Sequence, residues 1–201
     1  MGAGPALILL HANPGDHRDF NAVMPVLAKN HRVIALDWPG YGLSQAPNNP
    51  DSIDVLYYYQ IFTEFVATLD LKTMSILGNS VGGNIAARFA ANFPDQVSKL
   101  VLVAPGGFTN HTFITRSFCK LQGSPLSLPP SVWARLYLRN RTSVTTEMLT
   151  RAKTVQAEAD CLKINQALWR SFARTESDVR SLCSSIKAPV LLIFGEKDPA
   201  I

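Results

Sequence analysis

The chain has 201 residues, of which 47% are hydrophobic and 17% are charged. A length near 200 residues fits one domain, or one core that carries an insertion. A charged fraction well below the average of about 25% excludes an intrinsically disordered chain. The formal net charge is +4, and the basic excess lies in residues 107–187. No basic run there alternates with aromatic residues, so we expect no nucleic-acid partner.

The sequence carries no pattern for membrane insertion, secretion or metal binding. Its longest apolar runs, such as residues 6–10 and 190–194, have five residues, whereas a transmembrane helix needs about 20. The first residues lack the basic stretch of a secretory signal. The three cysteines, at positions 119, 161 and 183, have no CxxC spacing and predict neither a disulfide framework nor a zinc site. We therefore expect a soluble, cytoplasmic protein without a transmembrane segment, a metal or a cofactor.

Short apolar runs alternate with stretches of helical periodicity. Runs rich in Val, Ile and Leu predict buried strands at residues 6–10, 33–36, 74–77, 99–103 and 190–194. Apolar residues at helical spacing predict one helical face over residues 20–27, a second over 61–69 and a third over 85–93. This alternation predicts an α/β fold in which a mostly parallel sheet has helices on both faces.

The segment from 107 to 182 breaks that alternation. It follows Pro105-Gly106 and contains no strand-like run, but its periodicity predicts helices near 131–138 and over 147–172. The interval between the strands at 103 and 190 is far longer than a βαβ crossover. We therefore expect residues 1–106 and 183–201 to form the core and residues 107–182 to form a helical cap, or lid.

The most informative motif is Gly78-Asn79-Ser80-Val81-Gly82, a GxSxG pattern between a predicted strand and a predicted helix. Glycine at 78 and 82 permits a tight turn, because a Cβ there would collide with the adjoining strand or helix. Such a turn lifts the Ser80 hydroxyl clear of the sheet and leaves N–H groups at the helix start free to stabilise an oxyanion. The alternative, a phosphate-binding turn of a dinucleotide fold, lacks GxGxxG.

Two further motifs directly follow the first two predicted strands. They are His11-Ala12-Asn13-Pro14-Gly15 and Asp37-Trp38-Pro39-Gly40-Tyr41-Gly42-Leu43-Ser44. With the GxSxG motif they make the chain resemble the α/β-hydrolase superfamily over essentially its whole length, although Ala12 stands where that family usually has glycine. The resemblance implies that Ser80 is the nucleophile and that the backbone N–H groups of Asn13 and Val81 form the oxyanion hole. It also implies that His11 holds its loop, and we expect His17, His31 and His111 at the surface.

The sequence Gly195-Glu196-Lys197-Asp198 after the last predicted strand is similar to the family's GxxD. The resemblance implies that Asp198 orients the catalytic histidine, and a solvated loop carboxylate is the alternative. The family's order is Ser, Asp, His, and no histidine follows Asp198 in these 201 residues. We therefore expect a hydrolase shortened at both ends that lacks the histidine of its triad and is inactive as it stands.

The resemblance implies a serine hydrolase that cleaves an ester-like bond of a small, mostly apolar substrate without a cofactor. That bond could be a carboxylic ester, an amide or a carbon–carbon bond. A serine at the nucleophile position disfavours the relatives that use aspartate there. The alternative is a non-catalytic member of the fold that binds a small ligand or a partner protein. Nothing in the sequence indicates an oligomeric state.

Overall fold

The computed structural model describes residues 1–138 and 140–196. Five strands form one parallel sheet in the order β2-β1-β3-β4-β5. They are β1 (Ala6–Leu10), β2 (Arg32–Leu36), β3 (Met74–Asn79), β4 (Val97–Val103) and β5 (Val190–Ile193). The predicted parallel sheet is confirmed, and each predicted strand end lies within two residues of the observed one.

Seven α-helices occur in the described residues. They are α1 (Met24–Leu27), α2 (Val55–Thr68), α3 (Val81–Asn92), α4 (Phe113–Gln122), α5 (Pro130–Tyr137), α6 (Ser143–Ala157) and α7 (Ala159–Phe172). Short 3-10 helices lie at His17–Phe20, Pro50–Ser52, Thr175–Ser177 and Arg180–Ser185. None of the described helices is both long and apolar enough to cross a membrane.

The sequence predicted one helical face over residues 20–27, but the structure has two separate short helices there. A 3-10 helix ends at Phe20, and α1 begins only at Met24. Pro25 lies in the first turn of α1, where its missing N–H costs no helical hydrogen bond. The proline therefore fixes where α1 begins and prevents one continuous helix.

Strand β1 is buried on both faces of the sheet, and its side chains alternate between two apolar clusters. Ile8 and Leu10 belong to a cluster that includes Phe62 of α2 and Phe89 of α3. Leu7 and Leu9 belong to a second cluster with Phe20 and Val33, against which residues of α1 pack. This alternation is the period of two that a strand imposes. It confirms that helices cover both faces of the sheet.

Helices α4 to α7 lie between β4 and β5 in the chain, in the segment that the sequence predicted to be a helical cap. The last of them, α7, packs into the main apolar cluster through Ile164, Ala167 and Leu168. Trp133 of α5, Trp169 of α7 and Phe118 of α4 form an aromatic cluster with ring centroids 5.5–6.0 Å apart. The helices of the segment therefore pack against one another, and α7 also packs against the core.

A buried ion cluster joins α6 to the loop after β1. The Arg151 guanidinium contacts the carboxylates of Asp16 (3.4 Å) and Asp19 (2.5 Å), and these side chains are only 16%, 6% and 8% exposed. Burial raises the pKa of Asp19 even though Arg151 donates a hydrogen bond to it. Burial would also raise the pKa of Asp16, but hydrogen bonds from Arg18 outweigh it and the pKa lies below its usual value. The two carboxylates thus depend on nearby arginines for their charge.

We expect Arg151→Met to lower the free energy of unfolding by about 3 kcal/mol, because it leaves buried carboxylates without their cation. Denaturant unfolding measures the change. The loss should shrink as pH falls, since burial without Arg151 raises the pKa of Asp19 further and its protonated form is then the one that folding favours.

Arg170→Met is the matched control, because Arg170 pairs with Asp51 at side-chain exposures of 36% and 58%. It should cost less than about 1 kcal/mol. Equal losses in the two variants would show that the Arg151 cluster does not anchor α6.

Strand β5 is an apolar edge of the sheet. Within the described residues it pairs with β4 alone, and its four residues and the following Phe194 are 44–56% exposed. An exposed apolar edge strand offers unpaired backbone groups to another chain. In the described residues β5 therefore presents an apolar edge without a second strand partner.

We expect the chain to self-associate as its concentration rises, and Leu191→Lys combined with Ile193→Lys to reduce that association. The lysines add charge to one face of the edge strand and oppose strand pairing. Dynamic light scattering over a concentration series measures the effect. Leu43→Lys is the control, since Leu43 is also an exposed leucine but lies in a loop outside the sheet. A similar reduction in the Leu43→Lys variant would exclude the edge strand as the cause.

Candidate active site

The GxSxG motif forms a sharp turn between the central strand β3 and α3. Ser80 has φ 53° and ψ −115°, one of three positive-φ residues other than glycine in the described chain. Hydrogen bonds hold its backbone, since its N–H donates to the Val103 carbonyl (3.0 Å) and its carbonyl accepts from Gly106 N–H (2.9 Å). A strained residue persists only where its surroundings enforce it. Here the enforcement comes from the ends of β4 and α3.

Three glycines allow α3 to begin so close to the sheet. A Cβ on Gly78 would collide with the Gly82 carbonyl, and one on Gly82 would collide with the Leu10 carbonyl. A Cβ on Gly83 would lie 2.7 Å from the Pro105 Cβ. The prediction that a Cβ at 78 or 82 cannot be accommodated is confirmed, and Gly83 adds a third such contact.

A cavity of about 90 Å³ lies above the turn, between the core and α7. Ser80 lines it together with Asn13 and Val81, the two predicted oxyanion-hole residues. Trp169 and Phe172 of α7 supply apolar lining. The structure therefore brings the nucleophile candidate and both backbone candidates to one cavity.

The side chain of Asn13 is held by two hydrogen bonds. Its amide Nδ2 donates to Asn165 of α7 (3.1 Å), and its Oδ1 accepts from the Tyr41 hydroxyl (2.6 Å). These contacts fix the loop after β1 against α7 and the loop after β2. Sequence reasoning missed Asn165, although a polar residue beside Ile164 and Leu168 on an apolar helical face was a signal that could have found it.

Another nucleophile, the Cys119 thiol, lines the same cavity. Burial raises its pKa to about 11, and the thiolate rather than the thiol is the reactive form. Cys119 is therefore a poor nucleophile near neutral pH.

His11 is fully buried and uses both ring nitrogens. Its Nε2 accepts from the Trp38 backbone N–H (3.0 Å), and its Nδ1 lies 2.7 Å from the Ala12 carbonyl. Trp38 Nε1–H donates in return to the His11 carbonyl (3.0 Å). Burial lowers the pKa of His11 to about 4. The prediction that His11 holds its loop is confirmed.

The remaining histidines, which we expected at the surface, are all partly exposed. His17 is partly exposed and contacts Asp37 (2.8 Å), and Nδ1 of His31 lies 3.2 Å from the Leu27 carbonyl. His111 has the same intermediate exposure and also lines the Ser80 cavity, which the sequence did not predict. It lies ahead of α4, a helix that the sequence pattern did not single out, so nothing in the sequence placed it near β3.

The predicted acid, Asp198, lies outside the described residues. Asp16, His17 and Asp37 bring three potential metal-ligand atoms within 4.8 Å of one another. Both carboxylates already have partners, because Arg18 and Arg151 pair with Asp16 and His17 contacts Asp37. This group therefore works as an ion-pair network between the loops.

A parallel sheet whose central strand ends in a GxSxG turn defines a class of α/β proteins. The sequence model of the alpha/beta hydrolase fold family matches residues 5–122. The chain therefore belongs to the α/β-hydrolase family, as its motifs implied.

The chain is also similar to individual proteins. The chain is 36% identical to an uncharacterized protein of Mycobacterium bovis in a match that covers 54% of this chain and 31% of that protein. It is 27% identical to a 2-hydroxy-6-oxo-2,4-heptadienoate hydrolase of Pseudomonas putida, over 100% of this chain and 75% of that enzyme. Its fold is similar to that of a solved bacterial membrane phospholipase A, with a TM-score of 0.78 and 24% identity. That match covers 100% of this chain and 66% of the phospholipase chain. The match to the first relative thus spans about a third of that protein's length.

We expect Ser80→Gly to raise the free energy of unfolding by about 1 kcal/mol, because glycine adopts positive φ without steric strain. Thermal or denaturant unfolding measures the change. Ser98→Gly in β4 is the matched control, since Ser98 is exposed and has no positive φ. It should lower stability by about 0.5–1 kcal/mol. Destabilisation of similar size in both variants would show that Ser80 is unstrained.

Proposed function

We propose that the protein is a serine hydrolase in which Ser80 attacks the carbonyl carbon of an ester-like bond. The observation that carries the proposal is the strained conformation of Ser80, at a turn that faces a cavity shared with Asn13 and Val81. Strain that the surroundings enforce is typical of functional residues. The family assignment supports the same role for this serine.

In the proposed reaction the Ser80 oxygen bonds to the carbonyl carbon while its proton passes to a base. The backbone N–H groups of Asn13 and Val81 donate to the oxyanion that forms. The bond to the leaving group then breaks, the leaving group takes up the proton, and water hydrolyses the acyl-serine. We propose that Asp198 orients the histidine that acts as this base.

We further propose that the 201-residue chain turns over slowly by itself. Its four histidines all precede Asp198 in the sequence. His11 has both ring nitrogens engaged, and His17 is paired with Asp37. His111 lines the Ser80 cavity, but its ring contacts Ser177 (3.5 Å), and within the described residues no hydrogen bond joins it to the Ser80 hydroxyl. General-base help from imidazole contributes about two to four orders of magnitude in rate, so its loss leaves Ser80 weakly nucleophilic.

The substrate that we propose is small and mostly apolar. Val81, Trp169 and Phe172 line the cavity beside Ser80, and such side chains favour an apolar acyl or alcohol group. A carboxylic ester and a carbon–carbon bond next to a carbonyl are both compatible with this chemistry.

We propose that residues 107–182 form the cap, and that residues 1–106 and 183–201 form the catalytic core. Helix α7 of the cap contributes Trp169 and Phe172 to the cavity, whereas the core contributes Ser80. The cap would then determine which substrate binds, and the core would supply the residues that react with it. The second candidate function is a non-catalytic binder, which the small cavity beside Ser80 would also serve.

The test is covalent labelling of the chain with an alkyl fluorophosphonate, together with hydrolysis of p-nitrophenyl butyrate. We expect slow labelling at Ser80, located by mass spectrometry, and turnover that rises at least tenfold when free imidazole supplies the missing base. After subtraction of the hydrolysis that imidazole catalyses without protein, both signals should disappear in Ser80→Ala.

Ser44→Ala is the matched control, since Ser44 donates to the Asp37 carbonyl in a loop outside the cavity. It should label and respond to imidazole as the parent chain does. Labelling that persists in Ser80→Ala would assign the nucleophile elsewhere. No reaction even with imidazole would favour the binder.

A further inference from the structure

Helix α4 is apolar on the side that faces solvent. Phe113, Ile114 and Leu121 are 85%, 77% and 50% exposed. Ile114 follows Phe113 directly and Leu121 lies eight residues after it, so the three side chains share one face of the helix. A surface helix normally presents charged and polar residues on its solvent face. An exposed apolar face of this kind marks an interaction surface.

The opposite side of α4 is already used by the fold. Thr115 and Cys119 line the Ser80 cavity, and the Phe118 ring packs on Trp169 with centroids 5.7 Å apart. The packing of α4 on α7 therefore comes from its inner face, and changes on the outer face leave that packing in place.

The apolar surface continues into the turn after α4. Leu126 is 82% exposed and Leu128 is 43% exposed. Ser124 ties the turn to the helix, because its backbone N–H and its hydroxyl both donate to the Leu121 carbonyl (3.1 and 2.7 Å). One exposed apolar surface, the α4 patch, therefore consists of Phe113, Ile114, Leu121, Leu126 and Leu128.

The α4 patch lies in a segment with positive charge only. Residues 107–146 contain five lysines and arginines and no aspartate or glutamate. Arg116 and Lys120 are exposed and lie four residues apart on α4, along one edge of its apolar face. The chemistry of this surface is therefore apolar and basic.

Two acidic residues from other segments come near the ends of α4, and both are paired. Arg180 pairs with Asp178 and also contacts Asn110, ahead of the helix. Arg170 pairs with Asp51 and donates to the backbone carbonyl that caps the end of the helix (2.7 Å). Neither acid therefore offsets the charge of the two basic residues of α4.

We propose that the α4 patch is a docking surface for a lipid bilayer that carries anionic head groups. Its apolar side chains enter the boundary between head groups and acyl chains, and Arg116 and Lys120 lie among the anionic head groups. The Ser80 cavity, which the inner face of α4 lines, then lies one helix diameter, about 10 Å, from the bilayer surface. The inference goes beyond the proposed hydrolysis and does not rest on it, since Ser80 takes no part in docking.

Co-sedimentation with vesicles tests the proposal. The chain is mixed with vesicles of phosphatidylcholine, or with vesicles in which about a third of the lipid is phosphatidylserine, and protein that sediments without vesicles is subtracted. We expect the chain to bind the anionic vesicles about tenfold more tightly than the neutral ones, because each basic residue near an anionic surface contributes about fivefold. This difference should shrink as the salt concentration rises. Equal binding to both kinds of vesicle, or no binding, overturns the proposal.

Phe113→Ser combined with Ile114→Ser should weaken binding to the anionic vesicles about tenfold or more, because it removes the apolar surface that enters the bilayer. Val26→Ser combined with Leu43→Ser is the matched control, since these residues are 63% and 89% exposed but lie in α1 and in the loop after β2. Strand β5 is the same in both variants, so binding through its edge would persist in both. An equal loss in the two variants, or no loss in the first, contradicts the proposal.

The basic residues have their own test. Lys120→Gln should weaken binding to the anionic vesicles about fivefold and leave binding to the neutral ones unchanged. Lys29→Gln, which changes an exposed lysine outside the segment of α4, should leave both unchanged. Equal effects of the two substitutions would exclude a specific role for the charge beside the α4 patch.

Phe113→Trp reports the contact while it keeps a large aromatic side chain in the α4 patch, so it does not depend on how the serine variant folds. Lipids with brominated acyl chains should quench its added emission, measured against the parent chain, and should leave that of Leu43→Trp unquenched. Equal quenching of the two added tryptophans contradicts docking through α4.

A second copy of this chain is the competing occupant. In that case analytical ultracentrifugation would show a dimer that Phe113→Ser with Ile114→Ser abolishes, and the anionic vesicles would not bind the chain. That outcome overturns the lipid proposal and assigns the α4 patch to self-association. Labelling of Ser80 is measured separately, so failure of the proposed hydrolysis and failure of docking are told apart.

Discussion

The architecture around Ser80 depends on the close approach of α3 to the strands beneath it. Gly82 meets the Leu10 carbonyl and Gly78 meets the Gly82 carbonyl, so no side chain larger than hydrogen fits at either position. This approach forces the positive φ of Ser80 and directs the N-terminus of α3 at the cavity. The partial positive charge of a helix N-terminus and its unpaired N–H groups then lie where negative charge would develop. A packing constraint between backbones thus produces the electrostatics of the site.

Buried polar contacts hold the two loops that face this turn. His11 joins them through its bond from the Trp38 backbone, and Asp37 joins them again by accepting from the backbone N–H groups of His17 and Leu43. A buried polar group is tolerated where its partners are complete, and both nitrogens of His11 are engaged. The imidazole of His11 is therefore a structural element of the loop that carries Asn13, and its low pKa keeps it neutral.

The sheet and the turn could be predicted from the sequence because both are local patterns. Strands buried on two faces read as apolar runs, and the GxSxG spacing marks the turn directly. The position of His111 could not be predicted in this way, since it depends on how α4 and α7 pack over the sheet. The contact between Asn13 and Asn165 spans 152 residues of sequence, and no local pattern encodes such a pairing. Helix α7 likewise has the periodicity of any amphipathic helix. That periodicity does not indicate whether its apolar face packs against the other helices of residues 107–182 or against the sheet.

Helix α7 couples the stability of the fold to the shape of the cavity. One part of its surface supplies Ile164 and Leu168 to the main apolar cluster, while Trp169 and Phe172 line the space beside Ser80. A Cβ on Gly106 would lie 2.8 Å from the Phe172 ring, so the loop after β4 touches the same helix. Because interiors are close-packed, a shift of α7 that changed the cavity would also disturb the core. Helices α4 and α5 do not supply buried residues to that core cluster. Changes that alter the cavity at the least cost to folding are therefore expected in the loop that carries His111 and in α4, rather than in α7.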